Sequence, residues 1–224
     1  VDKGANVQLA SKAGFTPLMM AARVGHQEAT AFLLEKGAPI NTVAEDGTSA
    51  LIVAVLRGHS DLALYLLTKG ADAKNDKAGY TALHWAAGKW ESGMTHDYPE
   101  SDVEEWKYLN GVVAKKAELI NALLEHGADI NARLKTNPPR YGIHLFHMMP
   151  LQETTPFFLA ALSADVATMK LLVAKGADPK VLNANKSTAL MVAASFGLLA
   201  APAAATWSVV AVDPDSGEVG AALA

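Results

Sequence analysis

Apolar positions recur along most of the chain in short runs at helical spacing. PLMMAARV (17–24) and ALIVAVL (50–56) are followed by second runs such as AFLL (31–34) and LALYLL (62–67). The second runs end two or three positions before a glycine, at Gly37, Gly70, Gly127 and Gly176. That spacing predicts pairs of short helices, with glycine stopping the second helix of each pair in a left-handed cap. The last stretch is written differently. In TWSVVAVDPDSGEVGAALA (206–224), two apolar runs flank Asp213-Pro214-Asp215-Ser216-Gly217. This predicts a β-hairpin.

The helical pattern repeats. GFTPLMMAARVGH, GTSALIVAVLRGH and GYTALHWAAGKW place Thr16, Ser49 and Thr81 in one slot, at spacings of 33 and 32. LLEKGAPIN, LLTKGADAK, LLEHGADIN and LLVAKGADP form a second recurring block. TTPFFLAALSAD and STALMVAAS set Thr155 and Thr188 again 33 apart. Two blocks recurring in register resemble the ankyrin repeat, a unit of about 33 residues with a β-turn, two helices and a T-P-L-H-x-A signature. Thr16 and Thr155 are suited to cap first helices, with Pro17 and Pro156 in the first turn. Small pairs such as Ala21-Ala22 and Ala86-Ala87 let helices approach closely. Phe32-Leu33-Leu34 and Leu66-Leu67 are expected to face neighbouring units. One unit cannot bury its apolar face, so stacking supplies the core.

The fold class expected is therefore mainly α: an ankyrin-type helical repeat solenoid with two insertions in the third repeat, plus a C-terminal β-hairpin-like tail. The array covers 1–197, with a partial repeat at 1–13, units at 14–46, 47–78, 79–153 and 154–186, and a partial unit at 187–197. The insertions fall near 88–115 and 133–153. An Ala-rich linker or signal-like junction follows at 198–205, and 206–224 reads as the truncated start of a second domain. Val1 in place of Met, and an opening unit that lacks its first half, are expected marks of processing or truncation.

The first insertion is acidic. Ser101 with Glu104 fits a capping box for a short helix through Trp106, Tyr108 and Leu109. It reads as a solvated helix packed by its aromatics, with a docking element or a cation site of His96, Asp97, Glu100 and Asp102 as the alternative. The second insertion is basic and apolar: Arg133, Lys135 and Arg140 meet no acid before Glu153, and Tyr141, Phe146, Met148 and Met149 follow. Either its apolar residues anchor a long loop, or Arg140 and Tyr141 form a contact cluster. His144 and His147 alone fall short of the ligands a zinc site needs. His84 occupies the histidine slot of the repeat signature and is expected to hold the turn near Thr81.

Composition narrows the chemistry. Half the residues are hydrophobic, the formal net charge is −4, and there is no cysteine. Nucleic acid is not expected as a partner, and thiolate zinc sites, disulfides and cysteine nucleophiles are excluded. No apolar run approaches the roughly 20 residues of a membrane span. The array shows no Gly-rich phosphate loop, no H-E-x-x-H and no G-x-S-x-G. Neither cofactor, metal nor catalytic residue is expected in it. The resemblance implies a monomeric interaction scaffold that takes a protein partner on its concave face and finger loops. The contacts expected are Met20, Val53, Trp85 and Leu159 on the inner helices and Arg140 and Tyr141 on the long finger. A structural spacer is the bland alternative. HWAAG (84–88), EEW (104–106) and PPR (138–140) are also similar to long-inserted bacterial ankyrin proteins, which implies an exported protein.

The tail carries a second resemblance. Thr206-Trp207-Ser208-Val209-Val210-Ala211, Asp213-Pro214 and Ser216-Gly217-Glu218-Val219-Gly220 look like the opening of a bacterial family with an N-terminal-nucleophile hydrolase-like fold. That resemblance implies Thr206 or Ser208 as nucleophile and makes the array a targeting arm. Lys186, the apolar run after it and Ala203–Ala205 also resemble the end of a signal peptide. A genuine fusion and two reading frames joined at about 195–200 both fit this junction.

Overall fold

The computed structural model describes residues 5–88, 112, 114–136 and 151–193, and the backbone of 208–212 and 219–223. Eight helices of this region form four pairs. They are α1 (Pro17–Val24) and α2 (Gln27–Glu35), α3 (Ala50–Leu56) and α4 (Ser60–Thr68), α5 (Ala82–Ala87) and α6 (Lys116–Glu125), and α7 (Pro156–Leu162) and α8 (Val166–Ala174). Residues 189–193 open one further helix. Inner helices stack in the order α1, α3, α5, α7, each packing on its own outer helix. The α5–α6 pair closes like the others although 88–115 lie between its members.

Local chemistry sets the helix starts. The side chains of Thr16, Ser49, Thr81 and Thr155 accept the N–H of the third helical residue: Met19, Ile52, His84 and Phe158. Pro17 and Pro156 stand in the first turn, where no donor is missed. Gly37, Gly70, Gly127 and Gly176, just past the outer helices, have φ between 84° and 99°, which other residues reach only at a cost. One continuous core results. Leu18, Met19, Ile52, Leu66, Leu83, Trp85, Leu119, Ile120, Phe157 and Phe158 are almost wholly removed from water.

Short fingers project between the pairs and are tied to one another. Within a finger, Ala44 N–H donates to the Thr48 carbonyl (2.8 Å) and Asn183 N–H to that of Ser187 (3.1 Å). Between fingers, Glu45 N–H donates to Ala13, Lys135 N–H to Gly79 and Ala184 N–H to Gln152. Asn41 and Asn131 tie successive outer loops. Asn41 donates through Nδ2 to the Gly70 carbonyl (3.1 Å) and accepts the Asp72 N–H (2.8 Å), while Asn131 Oδ1 accepts the Asp178 N–H (2.9 Å). These bonds fix the offset from each unit to the next.

One expectation changes. Leu33 and Leu34 pack against the core, but Phe32 is 46% exposed and lies under the ammonium of Lys36, 5.5 Å from the ring centroid. Tyr65 and Lys69 repeat that arrangement at 5.4 Å in the next unit. In these two units the outer-helix aromatic lies under a lysine, Phe32 exposed and Tyr65 half-buried against the core. In the tail, β1 (Ser208–Val212) and β2 (Val219–Leu223) form an antiparallel two-stranded ladder, with Ser208 opposite Leu223 and Val212 opposite Val219.

Candidate functional site

The face that displays the inner helices and fingers was expected to carry the contacts, and the structure divides the expected residues. Met20 is 39% exposed, whereas Val53, Trp85 and Leu159, in the same slot of later units, are only 7%, 1% and 2% exposed. The difference follows from stacking. Among the inner helices α1 packs on α3 alone, whereas α3 lies between α1 and α5, and α5 between α3 and α7. Trp85 also packs perpendicular to the Tyr80 ring, with ring centroids 5.3 Å apart. Val53, Trp85 and Leu159 are therefore core residues. Arg140 and Tyr141 lie outside the described residues, as do His96, Asp97, Glu100, Asp102, His144, His147 and Thr206.

The root of the second insertion is well defined. Leu134 N–H donates to the Thr154 carbonyl (2.9 Å), and Glu153 N–H to that of Leu134 (2.8 Å). The first is the counterpart of the bond from Ala44 N–H to Thr48, the second of that from Gly47 N–H to the Ala44 carbonyl. The positions bonded as Ala44 and Thr48 are in a simple finger are here Leu134 and Thr154. The basic residues of this root are not free. Arg133 pairs with Glu153 at 2.9 Å and also donates to the Leu182 carbonyl, and Lys135 pairs with Asp76 of the preceding finger. Folding brings to Arg133 and Lys135 the acids that their sequence neighbourhood lacks, so the root is close to neutral.

The first insertion returns to the array at 114–116. Ser60 Oγ donates to the Ala114 carbonyl (2.8 Å), Lys115 pairs with Asp61, and Lys116 pairs with Asp165 at 2.8 Å. Lys116 also reaches the Gly88 carbonyl (3.4 Å) at the end of α5. The two lysines span three consecutive units. Asp165 is engaged twice, since it also accepts the Thr168 N–H and hydroxyl as the cap of α8. Burial pushes its carboxyl up, but the bonds from Lys116 and Thr168 outweigh this and hold it below the usual carboxylate range. The sequence did not flag this tie; its only trace is a lysine pair where the simple units carry Gly-His.

His84 is buried at the start of α5. Its Nδ1 accepts the Thr81 N–H (3.1 Å) and stands 2.9 Å from Thr81 Oγ1, which in turn accepts the His84 N–H (3.4 Å). This reciprocal capping box assigns the ring proton to Nε2. Nε2 is buried and faces the carbonyls of Ala132 and Thr154 without closing a bond of normal geometry. Burial pulls the pKa of the ring down to about 4, against smaller opposing effects from those carbonyls and from Asp129. Tyr80 is pushed the other way, up to about 12, chiefly by burial. Among the described residues no cluster of three or more His, Asp or Glu side chains is placed to hold a metal ion, and no helix is long and apolar enough to cross a membrane.

The family model for ankyrin repeats, in three copies, matches residues 1–77 and again 40–94. No curated protein matches the chain. Ankyrin repeats are protein-interaction modules without chemistry of their own, and residues 1–94 carry them.

Proposed function

We propose that the protein is a protein-binding scaffold whose specificity resides in the finger edge, above all in the long finger between Leu134 and Thr154. The observation that carries this reading is the closed root of that finger. Backbone bonds between 134 and 153–154, and from Lys135 to Gly79, complete the repeat without the residues between them. A loop that the fold does not need for closure is available for binding. Met20 extends the contact surface at the start of the stack, with Arg140 and Tyr141 as the anchors on the loop. Val53, Trp85 and Leu159 shape the surface from below.

The test separates binding from folding. Arg140→Glu combined with Tyr141→Ala should abolish capture of the partner identified with the wild-type chain, and replacing 137–150 by a short Gly-Ser link should do the same. Both variants should unfold at nearly the wild-type temperature. Equal losses of binding and stability would mean that the loop is an anchor, and the proposal would fail.

A second reading makes the array an arm for a hydrolase-like domain entered through the tail. The β1–β2 ladder favours it, since a two-stranded hairpin is marginal alone and calls for further strands or a packed layer. A new N-terminus at Thr206, found by mass spectrometry of the mature protein, is the result this reading requires.

A further inference from the structure

The last two positions of the inner helix differ from unit to unit. In the first unit they are Arg23, half-buried, and Val24, 72% exposed. In the fourth they are Leu162 and Ser163, both half-buried, although α5 flanks α7 and Ala189 and Val192 of the next unit join the same core. Neighbours in the stack therefore leave these positions open to water. In the second unit they are Leu56 and Arg57, only 7% and 8% exposed. All seven residues of α3 (ALIVAVL) are buried, the pattern of a helix enclosed all round. Helices α1 and α5 on its flanks and α4 behind it cover three sides. The fourth, inner side is covered as well.

Both ends of the first insertion stand beside that side. The insertion leaves the array at Gly88, at the end of α5, the neighbour of α3. It returns through Val112, which is 5% exposed and belongs to the core. Ala114 and Lys115 then hold Ser60 and Asp61, three and four residues past Arg57. Lys116 reaches back to the Gly88 carbonyl (3.4 Å), so the two ends are tied together. We propose that residues 89–111, which lie outside the described residues, occupy the inner face of the second and third units: the chain's own acidic insertion seats a carboxylate on the Arg57 guanidinium and covers α3 and α5 with its aromatic side chains. An external partner then meets this face only by displacing the insertion. Nothing in this depends on the binding role of the long finger. Charge names the occupant. A guanidinium so far from water needs an anion. Helices α1, α3, α5 and α7 contain no Asp or Glu, and Asp61 is engaged by Lys115. Between 91 and 108 the insertion offers Glu91, Asp97, Glu100, Asp102, Glu104 and Glu105 against Lys107 alone. Trp90, Tyr98, Trp106 and Tyr108 supply the apolar area. Length is no obstacle, since this stretch can span about 75 Å and neighbouring helices lie about 10 Å apart.

The experiment is phenylglyoxal labelling of the full chain, read at Arg57 by peptide mass spectrometry with Arg23 as the internal reference. Arg57 should label far more slowly than Arg23 in the wild type. Replacing 90–110 by a Gly-Ser link should raise its rate several-fold, to near that of Arg23, while the far-UV circular dichroism of the array is kept. An Arg57 rate that stays low in that variant would overturn the proposal, and so would release of Arg57 on replacing 137–150 instead. A second measurement does not need the link variant to fold. With Arg57→Lys, which keeps the charge, a carbodiimide should join the introduced amine to a carboxylate between 91 and 105 of the same molecule. The exposed pair of Lys115 and Asp61 couples in the same sample and shows that the reagent works. An amide to another segment or to a second molecule, or none while the reference pair couples, would show that the insertion is not the occupant.

Discussion

Gly47 and Gly37 share a φ of +84° yet stand in opposite surroundings. A Cβ on Gly37 meets nothing within 4 Å. A Cβ on Gly47 would overlap the backbone of the next finger, at the nitrogen of Ala78 and the carbonyl carbon of Lys77. The Gly47 carbonyl also accepts from Nδ2 of the buried Asn75 at 3.0 Å, so moving the two fingers apart strands that amide. Gly37→Ala should therefore cost only the left-handed strain, about 1 kcal/mol. With the same strain, Gly47→Ala should add about 1–3 kcal/mol of overpacking and about 1–3 kcal/mol for the stranded donor, for a total of roughly 3–7 kcal/mol. Urea unfolding followed by far-UV circular dichroism gives both values under one condition. Losses equal within about 0.5 kcal/mol would show that the fingers are not rigidly tied, and the account of how the contact edge is spaced would be refuted.

The remaining expectations follow from single features. Ala164 has a φ of 51° in a position where the first two units use Gly25 and Gly58, so Ala164→Gly should stabilise the chain by about 0.5–1 kcal/mol in the same urea assay. Thr155→Ala removes the cap of α7, whose hydroxyl accepts the Phe158 N–H at 3.3 Å, and should cost about 1 kcal/mol in thermal unfolding. The His84 pKa is lowered on folding from 6.5 to about 4, so the unfolded chain binds the extra proton. Its contribution is complete above pH 6.5 and is lost as pH falls toward 4, by about 3 kcal/mol in all. The difference in unfolding free energy between wild type and His84→Ile across that window isolates this loss from the carboxylates, and a difference that does not vary with pH contradicts it.

Much of the array was legible in the residues because its causes are local. A hydroxyl three residues before a helical N–H, proline in the first turn and glycine after the last turn each act over one turn of chain. A repeated unit displays those causes several times in register. What the tertiary structure alone decided are matters of neighbourhood. Met20 and Trp85 occupy the same slot, yet one is exposed and the other buried, because burial depends on what stacks on both sides. Arg133 and Lys135 look unpaired along the chain, but folding brings Glu153 and Asp76 to them from other parts of the fold. Lys115 and Lys116 reach units on either side of their own, and the depressed His84 pKa exists only once the ring is enclosed. The sequence by itself determined the unit and its period, since these follow from bonds a few residues long. Which surfaces remain open, which charges are neutralised and which ring is shut away from protons were decided by the stacked structure, since each depends on groups that approach only after the chain has folded.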